Sequence, residues 1–263
     1  MKTINTKNFI LILIVGIFAN IQSKEIDLRL YEKRLISQYG EDGVIEKIFQ
    51  LIDTTNKYYV EFGAGEGHFC SNTKYLREKY GWTGLLLDGA CYSCLTNMAD
   101  NQRINLHKEF VTAENICHLF EKYNVPLEFD LISIDIDRND FYVWKSLSRW
   151  YRPRIVIIEY NGGFNYNEDK VIKYSPHAMW DSSRYFGASI LAFFNLGKTL
   201  GYSLIYDSEG VNLFFIRDDI LESCKIKFKN QNNIKKLYRG TPKSFSSRRI
   251  ASEFISSSEA IKN

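Results

Sequence analysis

From about residue 57 the chain alternates short apolar runs with longer stretches of helical spacing, and no other feature restricts the fold as much. The apolar runs cover residues 58–62, 84–88, 106–111, 129–135 and 154–160. Helical patterns lie between them at 72–80, 91–100, 113–123 and 140–150. Short runs rich in Val, Ile and Leu lack the alternation of a half-exposed strand, so both faces must be covered, and helices between such strands give a parallel sheet. An amphipathic helix over residues 37–52 leads, with Val44, Ile45, Ile48, Phe49 and Ile52 on one side. After the fifth run comes a polar and aromatic stretch, 161–184, then a helix over 185–200. Residues 202–206 and 212–217 read as two strands around an Asp-Ser-Glu-Gly turn, a hairpin signal. The expected fold is α/β: a doubly wound sheet closed by a C-terminal antiparallel β-hairpin. Such sheets bind ligands at the carboxyl ends of their strands, near the switch point.

The ends of the chain read differently from its body. Residues 1–23 carry Lys2 and Lys7, then an apolar run of 11 residues, 9–19, and a polar exit ending in Ser23. A membrane span needs about 18–20 apolar residues, so this is the anatomy of a secretory signal peptide, with an uncleaved signal anchor as the alternative. The expected location is the secretory pathway, secreted or held at a membrane by that segment alone. The body, 24–224, is long enough for one domain with a full core. From residue 225 to 263 there are 10 Lys and Arg against 2 acidic residues, so this basic, Ser-rich tail is +8 and the remainder −5. A mildly acidic body excludes a nucleic-acid stripe, and composition leads us to expect a loosely packed tail. The five cysteines (Cys70, Cys91, Cys94, Cys117 and Cys224) are too few for a disulfide scaffold. Cys91-Tyr-Ser-Cys94 is a single CxxC without the further ligands of a structural zinc, so ordinary thiols are the simplest reading.

The first strand runs into Val60-Glu61-Phe62-Gly63-Ala64-Gly65-Glu66-Gly67. Glycines there permit a tight turn and let a ligand approach bare backbone. The spacing is GxGxG, with His68 where a dinucleotide fingerprint has its third glycine. The acid before the glycines, Glu61, suits a ligand with positive charge better than a pyrophosphate. Asp88 ends the second strand, where a carboxylate can accept both hydroxyls of a ribose.

These residues resemble a known family. Ser37-Gln38-Tyr39-Gly40-Glu41-Asp42-Gly43 and the glycine turn, with Ser71-Asn72-Thr73, Ser133-Ile134-Asp135-Ile136-Asp137 and Tyr185-Phe186-Gly187-Ala188-Ser189, resemble the FkbM-type branch of S-adenosylmethionine-dependent methyltransferases. The match runs from about Ser37 to Arg217. It implies a class I methyltransferase fold, a Rossmann-like seven-stranded sheet whose last strand is antiparallel. It also implies adenosylmethionine as cofactor, held by Glu61, Gly63, Gly65, Asn72, Asp88 and Asp135. The sequence departs from the family pattern at Arg138, where a glycine is expected after the second acid.

Asp135, Asp137 and Asp140 gather at the end of the fourth strand, and Glu159-Tyr160-Asn161 ends the fifth. Oxygen ligands from adjacent strand ends (Asp135, Asp137, Glu159 and Asn161) suit Mg²⁺ or another hard cation. The arrangement is similar to that of metal-dependent catechol-type O-methyltransferases, in which the metal lowers the pKa of the acceptor hydroxyl. The metal-free alternatives are that Asp140 caps a helix, that Asp135 bonds the cofactor or acceptor, and that Glu159 pairs with Arg154 or Arg184. The long 161–184 connection, with Phe164, Tyr166, Tyr174, His177 and Trp180, is a candidate lid. His177 is the candidate general base there, with an unperturbed pKa of about 6.5. The expected activity is O-methylation of a sugar or small-metabolite hydroxyl, with Asp135 and His177 catalytic and the acceptor a small molecule or glycan. Two alternatives stay open: a nucleotide-sugar glycosyltransferase using Asp135-Ile136-Asp137 as its DxD, and an exported binding module without catalysis.

Overall fold

The computed structural model describes residues 25–90, 98–241 and 254–262. The readings of residues 1–23 and of Cys91 and Cys94 lie outside the described residues. A leading helix α1 (Glu41–Ile52) precedes five strands, β1 (Tyr58–Phe62), β2 (Thr83–Asp88), β3 (Leu106–Lys108), β4 (Glu128–Ile134) and β5 (Arg152–Glu159). Between them run α2 (Lys74–Tyr80), α3 (Met98–Arg103), α4 (Ile116–Lys122) and α5 (Asp140–Leu147). A short strand β6 (Val171–Ile172) interrupts the long connection, and α6 (Ile190–Leu200) leads into the hairpin of β7 (Tyr202–Ser208) and β8 (Asn212–Arg217). The chain continues through α7 (Asp218–Cys224), α8 (Ile234–Leu237), β9 (Phe254–Ile255) and α9 (Ser257–Lys262).

The main sheet has seven strands in the order β3-β2-β1-β4-β5-β8-β7. The pairs from β3 to β5 are parallel, whereas β8 is antiparallel to both β5 and β7. The last strand of this sheet in chain order, β8, thus inserts, reversed, between β5 and β7. This is the seven-stranded α/β sheet with its last strand antiparallel that the resemblance implied. The chain builds outward from β1 to β3 and then returns to place β4 on the other side, so the switch point lies between the ends of β1 and β4.

Alternation along the strands divides the core. Val60, Phe62, Ile132, Ile134, Val156 and Ile158 face one layer, with Phe141, Trp144 and Phe193. Tyr59, Leu131, Ile155 and Ile157 face the other, with Val44, Ile45 and Ile48 of α1.

Two helices start later than their periodicity predicts, because side chains claim the preceding backbone. Asp42 Oδ2 accepts the N–H groups of Leu35, Ile36 and Ser37 and the Ser37 hydroxyl, which holds these residues in a bend before α1. Likewise Ser189 caps α6 by accepting the N–H of Ala192, and Gly187 before it has φ +56°.

The C-terminal stretch corrects an expectation drawn from its composition. Among its described residues, Phe228, Leu237 and Ala260 are buried, and β9 pairs antiparallel with β6. Asn232 exchanges hydrogen bonds of 2.9 Å with the backbone of Leu204 and so covers the β7 edge of the sheet. Apolar residues spaced among the lysines supply the packing that net charge conceals. Among the described residues, no helix is long and apolar enough to cross a membrane.

Candidate functional site

The site residues meet at the carboxyl edge of the sheet, around the switch point. The turn after β1 uses three left-handed glycines, Gly63 (φ +62°), Gly65 (φ +53°) and Gly67 (φ +73°). Gly63 packs directly against the Asp135 backbone, whereas a Cβ on Gly65 would meet nothing within 4 Å. Bare peptide at Gly65 therefore faces open space. Asp88, half-buried at the end of β2, fixes this turn: its Oδ2 accepts the Gly65 N–H at 2.8 Å and its Oδ1 the Ala90 N–H at 2.7 Å. Each carboxylate oxygen keeps lone-pair capacity for a further donor.

Glu61 and Asn72 lie one layer behind. Glu61 is only 4% exposed and accepts hydrogen bonds from the Ser71 and Thr73 hydroxyls and the Asn72 N–H. Burial pushes its pKa up, against the pull of those three donors. Asn72 Nδ2 donates to Ser133 Oγ at 3.0 Å, tying the segment before α2 to β4. In this structure the Ser-Asn-Thr motif and Glu61 brace the turn from inside the protein.

The acids from β4 and β5 do converge. Ligand atoms of Asp135, Asp137 and Glu159 all lie within 4.8 Å of one another. Burial and the negative charge of Asp137 raise the Asp135 pKa to about 7. Glu159 is raised well above the usual carboxylate range by burial and then by Asp135. Asp137 adopts φ +65° and is raised by burial and by Asp88. Asp140 is fully buried, and its Oδ1 accepts the Ile136 N–H at 2.8 Å, holding the loop before α5 rather than capping the helix. Glu159 Oε2 and Asp140 Oδ2 are buried without a partner. Arg154 pairs with Asp130 at 2.7 Å at the opposite end of β4 and β5, so it does not neutralise Glu159.

Asn161 has another task. Its Nδ2 donates to the carbonyls of Arg184 and Phe186, and its Oδ1 accepts the Gly163 N–H at 3.1 Å. The amide clamps the two ends of the long connection together and is not turned to the acids.

A cleft of about 130 Å³ lies between Asp88, Phe110, Asp135 and Asp137, roofed by Met179 and Trp180 of the long connection. Of the five residues expected in a lid, Trp180 alone lines this cleft: Phe164 is buried, Tyr166 packs near Tyr238, Tyr174 donates to Glu114 and His177 is exposed. Arg138 secures the roof: its Nη1 donates to the Met179 carbonyl at 3.1 Å, and its guanidinium lies 5.2 Å from the centre of the Tyr185 ring. The departure from the expected glycine was the sequence signal for this contact. Phe110, at the end of a run expected to be strand, carried no signal at all. Of the other histidines, His107 stacks on Tyr123 with ring centres 4.1 Å apart. His68 lines a different groove, with Arg77 and Trp82.

No family model matches the sequence, and no curated protein matches it. Solved structures do. A candidate caffeoyl-CoA O-methyltransferase from Staphylococcus aureus aligns at 12% identity and a TM-score of 0.46, covering 72% of this chain and 88% of its own. An S-adenosylmethionine-dependent methyltransferase from Clostridium acetobutylicum aligns at 11% identity and a TM-score of 0.40, covering 68% and 92%. The CMeT domain of citrinin polyketide synthase aligns at 12% identity and a TM-score of 0.41 over 67% of this chain. The alignment takes in 51% of that domain, so this chain spans about half its length.

Proposed function

We propose that the chain is an S-adenosylmethionine-dependent methyltransferase acting on a hydroxyl of a sugar or small metabolite. One observation carries the reading: the Gly65–Asp88 hydrogen bond and the acid cluster flank the same switch point of a methyltransferase sheet. Adenosylmethionine, when bound, supplies a methyl group on a sulfonium. Asp88 would hold the ribose hydroxyls, and the open face of Gly65 leaves room for the ligand beside the backbone. Asp135, its pKa raised to about 7, is tuned to hold the proton of an acceptor hydroxyl near neutral pH. Its position makes it a better base than the exposed His177. Three carboxylates without nitrogen or sulfur ligands also suit a hard cation such as Mg²⁺, which would take the place of protons shared among Asp135, Asp137 and Glu159. A nucleotide-sugar transferase would leave the Gly65–Asp88 link without a role. Residues 1–23 would deliver the domain to the secretory pathway or hold it at a membrane.

Calorimetric titration of the full chain with adenosylmethionine, with and without Mg²⁺, tests the reading. Micromolar binding is expected. Silence toward adenosylmethionine, with heat on adding a UDP-sugar, would transfer the site to the glycosyltransferase class, and silence toward both would leave a binding module. Turnover that survives EDTA would remove the metal.

A further inference from the structure

A second cavity, of about 390 Å³, is lined by Glu159 of the acid cluster and shares no lining residue with the cleft. Its volume is within the usual range of ligand pockets, about 300–1,000 Å³. Separate parts of the chain build it, and each is pinned by its own bonds. Tyr39 comes from the Ser-Gln-Tyr-Gly-Glu-Asp-Gly motif, which the fold explains only as a clamp. The Tyr39 N–H donates to Glu41 Oε2 at 2.7 Å, while Glu41 Oε1 accepts from Ser208 and Asn212 at the hairpin. Phe186 is held by the Asn161 amide. Glycines of three distant segments touch backbone to backbone beneath: a Cβ on Gly162 would come 2.2 Å from the Gly210 carbonyl, one on Gly210 2.7 Å from Gly240 Cα, and one on Gly240 2.4 Å from the Gly162 carbonyl. Tyr238 locks that contact by donating to the Gly162 and Phe164 carbonyls. A crevice left by poor packing would not need such a floor.

We propose that this cavity is the acceptor compartment and that it selects a small, neutral, polyhydroxylated ring; the acceptor assignment rests on the methyltransferase reading above. Tyr39 and Phe186 offer aromatic surface for the apolar face of such a ring. Gly162, Gly163 and Gly210 line the same cavity without side chains, which leaves a ring room beside the aromatic groups. Glu209 is paired with Arg239, and Glu159 and Arg184 are one acid and one base, so the formal charges leave no cationic excess to hold a carboxylate or phosphate. Glu159 forms the shared wall: it lines this cavity, and its carboxylate lies within 4.8 Å of Asp135, which lines the cleft. A hydroxyl that reaches Glu159 therefore stands at the edge of the acid cluster. The buried, unpartnered Glu159 Oε2 has a partner to gain there.

Saturation-transfer NMR on the full chain, with S-adenosylhomocysteine present, tests this with neutral hexoses and deoxyhexoses against glucuronate and glucose 6-phosphate. Neutral rings should give transfer and the charged ones should not. Tyr39→Ala removes the aromatic surface and Thr241→Trp fills the rim; both positions are exposed, so folding should survive. Each should weaken ring binding about tenfold, with affinity for S-adenosylhomocysteine within twofold of the parent. Neutral rings silent on a protein that binds S-adenosylhomocysteine, or bound equally by both variants, would overturn the assignment. Ring binding that depends on Tyr39 without any binding of S-adenosylhomocysteine would support the ring-selective cavity and sink the methyltransferase reading instead.

Discussion

Gly63 lies against the carbonyl of Asp135 so closely that a methyl group at Gly63 would come 1.7 Å from that oxygen. The glycine turn and the acid cluster are thus one mechanical unit, since the end of β4 can sit where it does only if β1 ends without a side chain. Gly63→Ala adds this collision to the strain of a left-handed alanine, whereas Gly65→Ala carries the strain alone, about 1–2 kcal/mol. Thermal melts should show Gly63→Ala as clearly the less stable of the two. Equal losses would mean that the backbone contact is slack.

Asp88 accepts two backbone N–H groups and stands where a ribose is proposed to bind. Asp88→Ala should weaken adenosylmethionine binding tenfold or more by calorimetry, the usual consequence of losing hydrogen bonds to a charged group at about 1.5–3 kcal/mol. Retained affinity would take Asp88 out of the site.

Arg138 joins the cleft loop to its roof. In Arg138→Gly the Met179 carbonyl and the Tyr185 ring lose their cation. Hydrogen exchange should then accelerate in peptides covering residues 176–184 and stay unchanged in β4 and β5. Arg138→Lys, which keeps a cation, should restore part of the protection.

Asp130 is completely buried and accepts from Arg154, the Thr55 hydroxyl and the backbone of Thr55, Asn56 and Lys57. Arg154→Met leaves that carboxylate without its counter-charge and should cost about 3–5 kcal/mol in urea denaturation. The proposed cofactor site lies at the other end of these strands, so affinity for adenosylmethionine at low denaturant should be preserved.

The raised pKa of Asp135 carries a stability signature. An acid at its ordinary 3.8 when unfolded and at about 7 when folded makes the native state bind more protons between those values. Its contribution is therefore fully present below pH 4 and is lost as pH rises through 7. The difference in melting temperature between the parent and Asp135→Asn should drift against the parent across that window. A flat difference profile would show that Asp135 titrates normally.

Much of this architecture was legible before any coordinates. Buried Val, Ile and Leu runs separated by helical periods specify a parallel sheet through solvent exclusion alone, so the five strands, the hairpin and the edge carrying the site followed from local pattern. The same logic placed Asp88, Asp135, Asp137 and Glu159 at strand ends, because a short carboxylate closing an apolar run must emerge at the sheet edge. Sequence could not say which way a polar side chain turns once there. Glu61 and Asn161 look like ligands in a linear reading, but the fold gives Glu61 two hydroxyls and a backbone N–H and Asn161 three backbone groups, so the first braces the turn and the second clamps the long connection. Nor could it show that Gly162, Gly210 and Gly240, from three remote segments, would meet, or that lysine-rich residues after 225 would pack against the domain. Local composition determines whether a segment is buried, strand-like or turning. Only tertiary structure decides which distant groups compete for the same hydrogen bond, and that competition settled which acids and amides remain turned to the site.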